Sequence, residues 1–578
     1  MYKANQKHLQ PLLISNINDL PEKHRKRLEQ SWAGAFYRET FCRIPEDLFQ
    51  VLYADIPSRP NVPVNRLVGV DLLKAQFGWS DEELYDHFVF DVQVRYALGL
   101  CDLKGGDFEI RTLYYFRRRL AEHFLKTGEN LLQKAFEQMT DQQAWAHKVN
   151  LRVQRMDSTQ IMSNIVDASR LQLLVEVIQR LAGVLTEADR ARYAELLAPY
   201  LEHSAEQFIY PVKGKEAWEG HLQQIGQVMD RLVTELAATY GDEPIYQVFQ
   251  RIFQDNYQVQ EQRVQARANQ DIPSGCLQSV DDLEATYRKK GPKGFKGYVA
   301  NLSESCTPGN DLQLITQVQV APNNREDADL LAESLPQLKA RTGVESLYTD
   351  GAYGNPEVDQ ACIEQSVEIV QTSIRGNLPD PDKLNLSDFE IEQDDQGKPL
   401  QITCPGQQTV PVEAGRTTGF VARFNPDQCQ ECPYFQNRCR VQTGKRDPRP
   451  KLSFTQPEVN WARRRRRHQA FKKEEGNLRA AVEATLRSLK HPFPAGKLPV
   501  RGLFRMTCMI VGSAAMINMR RIQRFLREKE QPEGATKGHQ STKKTTAPAV
   551  TDSFWAVFQT RLEPVQPLPG LLATCFIF

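Results

Sequence analysis

The chain has 578 residues, a length that allows about three or four domains. Hydrophobic residues make up 40% of it and charged residues 25%, as in ordinary globular proteins. No apolar run reaches the roughly 18–20 residues that span a bilayer, because arginines close the nearest one, at 506–519, on both sides. The N-terminus has no basic stretch followed by an apolar one. These features exclude a membrane protein and a secreted protein, and we expect a cytoplasmic protein without a membrane partner.

Charge is distributed unevenly along this nearly neutral chain. The net charge of +1 does not by itself indicate a nucleic-acid partner. Residues 438–479, however, carry 14 Lys and Arg against 4 Asp and Glu, including an unbroken run of five arginines at 463–467. A local basic stretch of this kind is typical of a surface that contacts phosphates.

Residues 1–145 show the apolar periodicity of helices. Residues 66–77 are amphipathic and end at Gly78, and Ser80 with Glu83 forms a capping-box pattern that opens another helix. We therefore predict an N-terminal helical domain. Contact with DNA is one role for it, although helix bundles serve many others.

The middle of the chain combines strand and helix patterns. A long helical stretch at 167–260 interrupts the strand patterns, and a further helix is predicted at 326–341. We predict strands at 151–161, 294–303, 312–320, 344–349 and 368–373. The fold class is therefore α/β, a mixed sheet with packed helices and a helical insertion at about 165–275.

Later segments are less regular. Residues 378–460 are polar and loop-rich, with a cysteine-bearing insertion at about 395–445. A single long helix is predicted from about Arg463 to Lys490, where Pro492 stops it. Residues 501–528 form a last apolar helix. The tail at 529–578 is predicted to be largely disordered, and its final apolar residues have no assigned role.

Three acidic residues stand at positions suited to a shared metal site. Asp157 and Asp350 end predicted strands, and Glu483 lies within the late helix. Carboxylates from strand ends and a packed helix can converge on hard divalent cations such as Mg²⁺. Two such ions suit the in-line displacement at a phosphate. The alternatives are a solvated carboxylate at a strand end for Asp157 and an ordinary Asp-Gly turn for Asp350.

The helix around Glu483 carries the most specific pattern. Arg479, Glu483, Arg487 and Lys490 follow one another at spacings of 4, 4 and 3, which places them on one helix face. A carboxylate between cations suits a metal site that lies against a phosphate backbone. A solvent-exposed ladder of salt bridges has the same spacing.

Taken together, these motifs resemble the DDE-type insertion-sequence transposases, which have an RNase H-like catalytic core. Their late signature is a tyrosine, an arginine after two further residues, a glutamate after three more and a lysine after six more. Arg479, Glu483 and Lys490 match this spacing, whereas Gly476 stands at the tyrosine position. The sequences around Asp157 (Met-Asp-Ser-Thr) and Asp350 (Asp-Gly-Ala-Tyr-Gly-Asn) resemble the family's aspartate motifs. The resemblance covers about residues 40–525.

The resemblance implies a function and a division of the chain. Asp157, Asp350 and Glu483 would hold two Mg²⁺ or Mn²⁺ ions, with water freeing a 3′-hydroxyl that then attacks target DNA. The partners would be the terminal inverted repeats of the element and target DNA, bound by a homodimer. The catalytic domain would span 146–500, followed by a C-terminal helix at 501–528. Alternatives are an inactive DNA-binding descendant and a metal-dependent nuclease without strand transfer.

Two further groups of residues are candidates for binding. Four cysteines form a C-x24-C-x2-C-x6-C pattern, which suits a structural zinc site; reduced thiols without metal are the alternative. The candidate zinc ligands are Cys404, Cys429, Cys432 and Cys439. The candidate DNA-binding residues are Arg463, Arg464, Arg465, Arg466, Arg467, Arg479, Arg487 and Lys490. The arginine run has the composition of a nuclear localisation patch too, and the basic stretch Tyr287–Lys290 would extend the same DNA-binding surface.

Overall fold

The computed structural model describes residues 2–9, 15–54, 60–261, 263–374, 380, 382–394, 396–415, 419–435, 438–443, 449–473 and 478–530. Most of the predicted tail at 529–578 therefore lies outside the described residues. Within those ranges, no helix has both the length and the apolar character needed to cross a membrane.

The helices and strands follow the predicted order in outline. The α-helices are α1 (Glu22–Glu29), α2 (Trp32–Glu39), α3 (Val64–Phe77), α4 (Asp81–Phe90), α5 (Val92–Ala97), α6 (Ile110–Thr127), α7 (Leu131–Ala146), α8 (Arg170–Val184), α9 (Glu187–Arg192), α10 (Ala194–Leu201), α11 (Ala205–Ile209), α12 (Lys215–Tyr240), α13 (Pro244–Asn256), α14 (Asp327–Thr342), α15 (Pro356–Glu364), α16 (Pro426–Gln430), α17 (Gln456–Lys473), α18 (Val482–Lys490) and α19 (Leu503–Glu530). The β-strands are β1 (Val153–Met162), β2 (Tyr257–Gln260), β3 (Arg263–Ala266), β4 (Thr286–Lys290), β5 (Lys293–Ser305), β6 (Ile315–Pro322), β7 (Ser346–Thr349), β8 (Glu368–Gln371), β9 (Glu390–Gln393), β10 (Pro399–Thr403), β11 (Thr409–Ala414), β12 (Phe420–Arg423) and β13 (Lys451–Phe454).

The N-terminal region is helical, as predicted. The capping box at the start of α4 is formed, because Ser80 Oγ accepts a hydrogen bond from the Glu83 amide (3.1 Å) and the Glu83 carboxylate accepts one from the Ser80 amide (2.8 Å). Gly78 ends α3 in the left-handed region, with φ at 71°. These local signals fixed the helix boundaries at α3 and α4.

A six-stranded mixed sheet forms the centre of the molecule. The strand order is β4-β5-β1-β7-β8, and β6 pairs with β5 on the same side as β4. β1 is antiparallel to β5 but parallel to β7, and β7 is parallel to β8. This arrangement confirms the predicted mixed sheet. It adds the strand β4, which the sequence analysis had treated as a basic stretch preceding a strand.

Helices cover both faces of this sheet. On one face the apolar residues of α19 join a core that includes the N-terminal helices, β5, β6 and α18. On the other face α14 and α15 pack on Met156, Leu347 and Ile369. The apolar segment at 506–519 is therefore a core helix, which explains why it is apolar without being long enough for a membrane.

The helical insertion between β1 and β4 has a hydrophobic core of its own. Helices α8 to α13 supply most of this core, and the β2–β3 hairpin adds Tyr257 and Val264. The helices were predicted, whereas the hairpin was not. Its strands have only four residues each, too few for a clear alternation of apolar and polar residues.

Two predictions for the later segments were wrong. The stretch predicted to be loop-rich contains a second, five-stranded antiparallel sheet of order β13-β12-β11-β10-β9, built from strands of four to six residues. The single long helix predicted at 463–490 is two helices, α17 and α18. The sequence between them contains Gly476 and Asn477, which have low helix propensity. The arginine run therefore lies on α17 and does not open the helix that bears Glu483.

Candidate active site

Asp157 and Asp350 lie side by side because of the strand register. Arg155 of β1 pairs with Tyr348 of the parallel strand β7, so Asp157 stands level with Asp350 two positions further on. Asp350 directly follows β7, as expected, but Asp157 lies in the middle of β1 and does not end the strand, because β1 continues to Met162. Neighbouring strands are about 4.8 Å apart. Asp350 follows the last residue of β7 and caps a short turn by accepting the Ala352 amide proton at 2.8 Å. The sheet thus brings together two residues 193 positions apart in sequence.

A guanidinium group stands between these two carboxylates. Nη2 of Arg479 lies 2.7 Å from Oδ2 of Asp157 and 3.9 Å from Oδ2 of Asp350. Arg479 belongs to the turn that precedes α18, which packs on β1. The guanidinium therefore places one positive charge beside two carboxylates that would otherwise repel each other.

Burial and the neighbouring positive charge shift the pKa of Asp157 in opposite directions. Its side chain is buried, and burial raises the pKa of its carboxyl group, with a further rise from Asp350. Arg479 and the Ser158 amide, which donates to Oδ1 at 2.9 Å, lower the same pKa. A desolvated carboxylate that needs a nearby cation is the kind of group found at functional sites.

Glu483 lies on α18 but does not contact the aspartates. The buried face of α18 consists of Val482, Thr485, Leu486 and Leu489, and Glu483 is exposed. Within the described part of the chain, no hydrogen bond or ion pair joins it to Asp157 or Asp350, and no group of three metal-binding side chains is formed. The structure therefore brings together two of the three predicted acidic residues.

Lys490 connects the far end of α18 to β1. Its Nζ donates to Thr159 Oγ1 at 2.8 Å, two residues beyond Asp157. Burial lowers the pKa of Lys490, and Lys290 and Lys293 lower it further. The basic hairpin β4–β5 and the end of α18 thus form one cationic rim beside the aspartates. Arg487, also predicted to bind DNA, is exposed.

This region contains a third carboxyl group, which no sequence pattern singled out. Asp327, the first residue of α14, is 8% exposed, and its Oδ1 has no hydrogen-bond partner among the described residues. Burial raises the pKa of Asp327 and Asp350 raises it further, while the Ser158 hydroxyl and Arg288 lower it. In sequence it looked like an ordinary acidic residue in the first turn of a helix, where the helix dipole favours negative charge.

The effect of Asp327 on stability should depend on pH. Because its pKa is raised in the folded protein, the ionised carboxylate destabilises the folded state at neutral pH. We expect Asp327→Asn to raise the thermal midpoint of the metal-free protein by on the order of 1–2 °C at neutral pH. The gain should shrink as the pH falls through the raised pKa and vanish below the unfolded value of about 3.9. Calorimetry across this pH range tests it, with the exposed Glu326→Gln as control; a gain that grows towards acid would contradict the reasoning.

A fully buried carboxylate ties the elements around the site together. Glu304 of β5 accepts hydrogen bonds from Arg155 Nε (2.6 Å), Thr485 Oγ1 (2.8 Å) and Arg521 Nη1 (2.8 Å). Arg155 also donates to the Leu478 carbonyl at 2.6 Å. This cluster joins β1, β5, α18, α19 and the turn that carries the guanidinium between the aspartates.

Most of the arginine run on α17 is engaged within the protein. The partners are Asp359 for Arg464 (3.0 Å), the Ser387 carbonyl for Arg466 (3.3 Å) and Glu368 for Arg467 (2.9 Å). Arg465 stacks over the ring of Trp461 at 5.1 Å, and Arg463 is exposed. Much of the charge that the sequence suggested for phosphates therefore stabilises the packing of α17, and Arg463 is the member of the run with the most solvent access.

The four clustered cysteines line one small cavity beside the second sheet. Burial raises the pKa of Cys429, the Gln408 side chain lowers it, and Cys404, Cys439 and Cys432 raise it further, which shows that the thiols lie near one another. All four are free thiols. The structure thus gathers residues that the sequence separates by up to 35 positions.

Comparison with known proteins gives one family. Residues 403–523 match the family model described as a transposase DDE domain. No curated protein and no solved structure gave a significant match. The matched span includes the cysteine cluster, α17, Arg479 and Glu483, but neither Asp157 nor Asp350.

The class of protein follows from this match and from the site. A carboxylate pair on adjacent strands stands beside a cationic rim, and the match to a transposase DDE domain supports an enzyme that acts on DNA. The match over residues 403–523 supports a DDE-type transposase.

Proposed function

We propose that this transposase cleaves the ends of a mobile DNA element and transfers the freed 3′-hydroxyl to target DNA, using two Mg²⁺ or Mn²⁺ ions held by Asp157, Asp350 and Glu483. The observation that carries the proposal is the level placement of two aspartates around one positive charge, with Arg479 Nη2 at 2.7 and 3.9 Å. The family match spans Glu483, which we propose as the third acidic residue.

The topology of the central sheet supports an RNase H-like core. Three antiparallel strands, β6, β5 and β1, are followed by two strands, β7 and β8, that run parallel to β1. The acidic pair lies where β1 and β7 meet. We therefore retain residues 146–500 as the proposed catalytic domain and residues 1–145 as the proposed N-terminal domain.

The donor groups fit a magnesium site. Carboxylate oxygens are the ligands that Mg²⁺ prefers, and the two aspartates already require a neighbouring cation. When bound, such ions activate the attacking hydroxyl and stabilise the leaving oxygen of an in-line displacement. Glu483 and Lys490 are seven positions apart on α18 and so share a helix face, and Lys490 donates to Thr159 of β1, which supports Glu483 as the third ligand.

The surrounding cations would hold the DNA backbone. Lys290, Lys293 and Lys490 stand close together next to the acidic pair, and Arg463 is exposed on α17. Such contacts give affinity that is independent of sequence and weakens with salt. Because an element has two ends, we propose that a homodimer brings two copies of this site to the DNA.

A donor plasmid that carries the DNA flanking this gene on both sides, mixed with a target plasmid, tests the proposal. With the full chain and Mg²⁺ or Mn²⁺ we expect nicked or linear donor and joined donor–target molecules, and chelator should remove both. Cleavage without joined molecules would identify a nuclease instead. Binding to DNA with no product that depends on a divalent cation would identify a non-catalytic descendant and overturn the proposal.

A further inference from the structure

Four cysteines converge on a cavity that is separate from the acidic pair. Cys404 follows β10, Cys429 lies in α16, and Cys432 and Cys439 come after it in the chain. All four line a cavity of about 20 Å³. A volume of this order holds a single water-sized particle, which is also the scale of one metal ion.

Two tight turns present the sulfurs to this cavity. The Gln407 amide donates to the Cys404 carbonyl at 2.9 Å, and the Cys432 amide donates to the Cys429 carbonyl at 3.2 Å. Gly406 leaves room between the turns, because a Cβ atom there would lie 3.2 Å from Cys432 Sγ and 3.5 Å from Cys404 Sγ. The backbone thus approaches two sulfurs from different turns at one point.

Amide groups point at the sulfurs as well. The Gln408 backbone N–H donates to Cys404 Sγ at 3.4 Å, and its side-chain Nε2 donates to Cys429 Sγ at 3.6 Å. A neutral thiol is a weak acceptor that gains little from such donors, whereas the metal-binding thiolate is stabilised by them. One residue therefore orients two of the sulfurs in the way expected for metal ligands.

We propose that Cys404, Cys429, Cys432 and Cys439 bind one structural Zn²⁺ ion. Four thiolates around a small cavity suit the tetrahedral coordination of zinc and leave no open position for catalysis. Soft sulfur ligands select zinc, whereas the oxygen ligands of the acidic pair suit magnesium. Among the described residues no group of three or more metal-binding side chains is already gathered closely enough to hold an ion, so zinc binding would require the four sulfurs to move closer together.

The zinc would stabilise the module formed by the second sheet (β9–β13) and the cysteine-bearing loops. This module precedes α17 and α18 in the chain. The core beside the second sheet is small, and it continues into Val459 and Ala462 at the start of α17. A small core gains most from a metal cross-link. Because the chain runs from α17 to Arg479 and Glu483, loosening this module would loosen the segment that bears the third acidic residue.

Metal analysis of the purified full chain tests the proposal without any DNA. We expect about one zinc per chain, and cobalt in its place should give the intense thiolate-to-cobalt charge-transfer absorption of a tetrahedral site. Zinc should also protect these four thiols from alkylation, as read by mass spectrometry, while the exposed Cys42 reacts. Protein that is free of zinc although all four thiols are reduced and alkylate as fast as Cys42 would overturn the proposal.

Variants separate ligation from general damage to the fold. Cys432→Ser should lose zinc, Cys432→His should retain it because imidazole is also a zinc ligand, and Cys42→Ser should be unaffected. Equal zinc content in the Ser and His variants would contradict ligation by Cys432. If Cys432→Ser fails to fold, the cobalt spectrum and alkylation pattern of the unmodified chain still decide. Since zinc content is read without DNA, this result is independent of whether the chain performs strand transfer.

Discussion

Asp157→Asn should abolish DNA cleavage while the protein still folds and binds DNA. The amide keeps the shape of the side chain but removes the charge that would hold a divalent cation. A loss of about 4 kcal/mol in transition-state stabilisation corresponds to roughly a thousandfold in rate, and we expect at least that. The fold should tolerate the change, because burial already disfavours the ionised carboxylate at this position. Cleavage rates with Mn²⁺ and gel shifts on the same DNA measure the two effects separately.

The companion variants sharpen this test. Asp350→Asn should behave in the same way, since its carboxylate stands level with that of Asp157. Glu483→Gln should also abolish cleavage. This variant is the stricter test of the proposed metal site, because Glu483 is exposed and lies on α18 without touching the aspartates. The exposed Asp242→Asn, in the turn between α12 and α13, should cleave normally. Retained cleavage in any of the first three variants would remove that residue from the site, and retention in both aspartate variants would end the proposed mechanism.

The positions of the acidic residues were accessible from sequence because they follow from strand order. The strand that contains Asp157 and the strand that Asp350 follows can be recognised by apolar alternation, although the end of the first strand was placed too early. Their proximity follows once the two strands are parallel neighbours, since carboxylates at the same register then lie about one strand spacing apart. The late helix motif could likewise be read from its spacing, although its separation from the arginine run could not.

Other parts of the site depend on tertiary packing that local patterns do not encode. Glu304 lies near the end of the long strand β5, and only the pairing of β5 with β1 shows that it meets Arg155. Asp327 resembled a routine residue at the start of a helix. The second sheet was missed because its strands are short and half exposed, so the period-2 signal is weak. In each case the information lies in long-range contacts.

The second large effect concerns stability, through the buried cluster around Glu304. Glu304→Gln keeps the size of the side chain but leaves Arg155 and Arg521 without their shared negative charge. Removing one partner of a buried ion pair costs about 3–5 kcal/mol, because the remaining charge is uncompensated. We expect a lower midpoint of chemical denaturation of the full chain at neutral pH. We also expect slower cleavage below the unfolding temperature, since the cluster fixes Leu478, the neighbour of Arg479.

Matched variants decide whether buried charge is the cause. Glu333→Gln removes an exposed carboxylate that pairs with Arg325, and surface pairs of this kind contribute less than about 1 kcal/mol. Combining Glu304→Gln with Arg155→Met should restore part of the lost stability, because an apolar side chain in place of Arg155 removes one of the two uncompensated charges. If Glu304→Gln and Glu333→Gln shift the denaturation midpoint equally, Glu304 does not organise the site. If the double variant recovers stability but not cleavage, the Arg155 side chain, which donates to the Leu478 carbonyl, is what holds Leu478 and Arg479 in position beside Asp157.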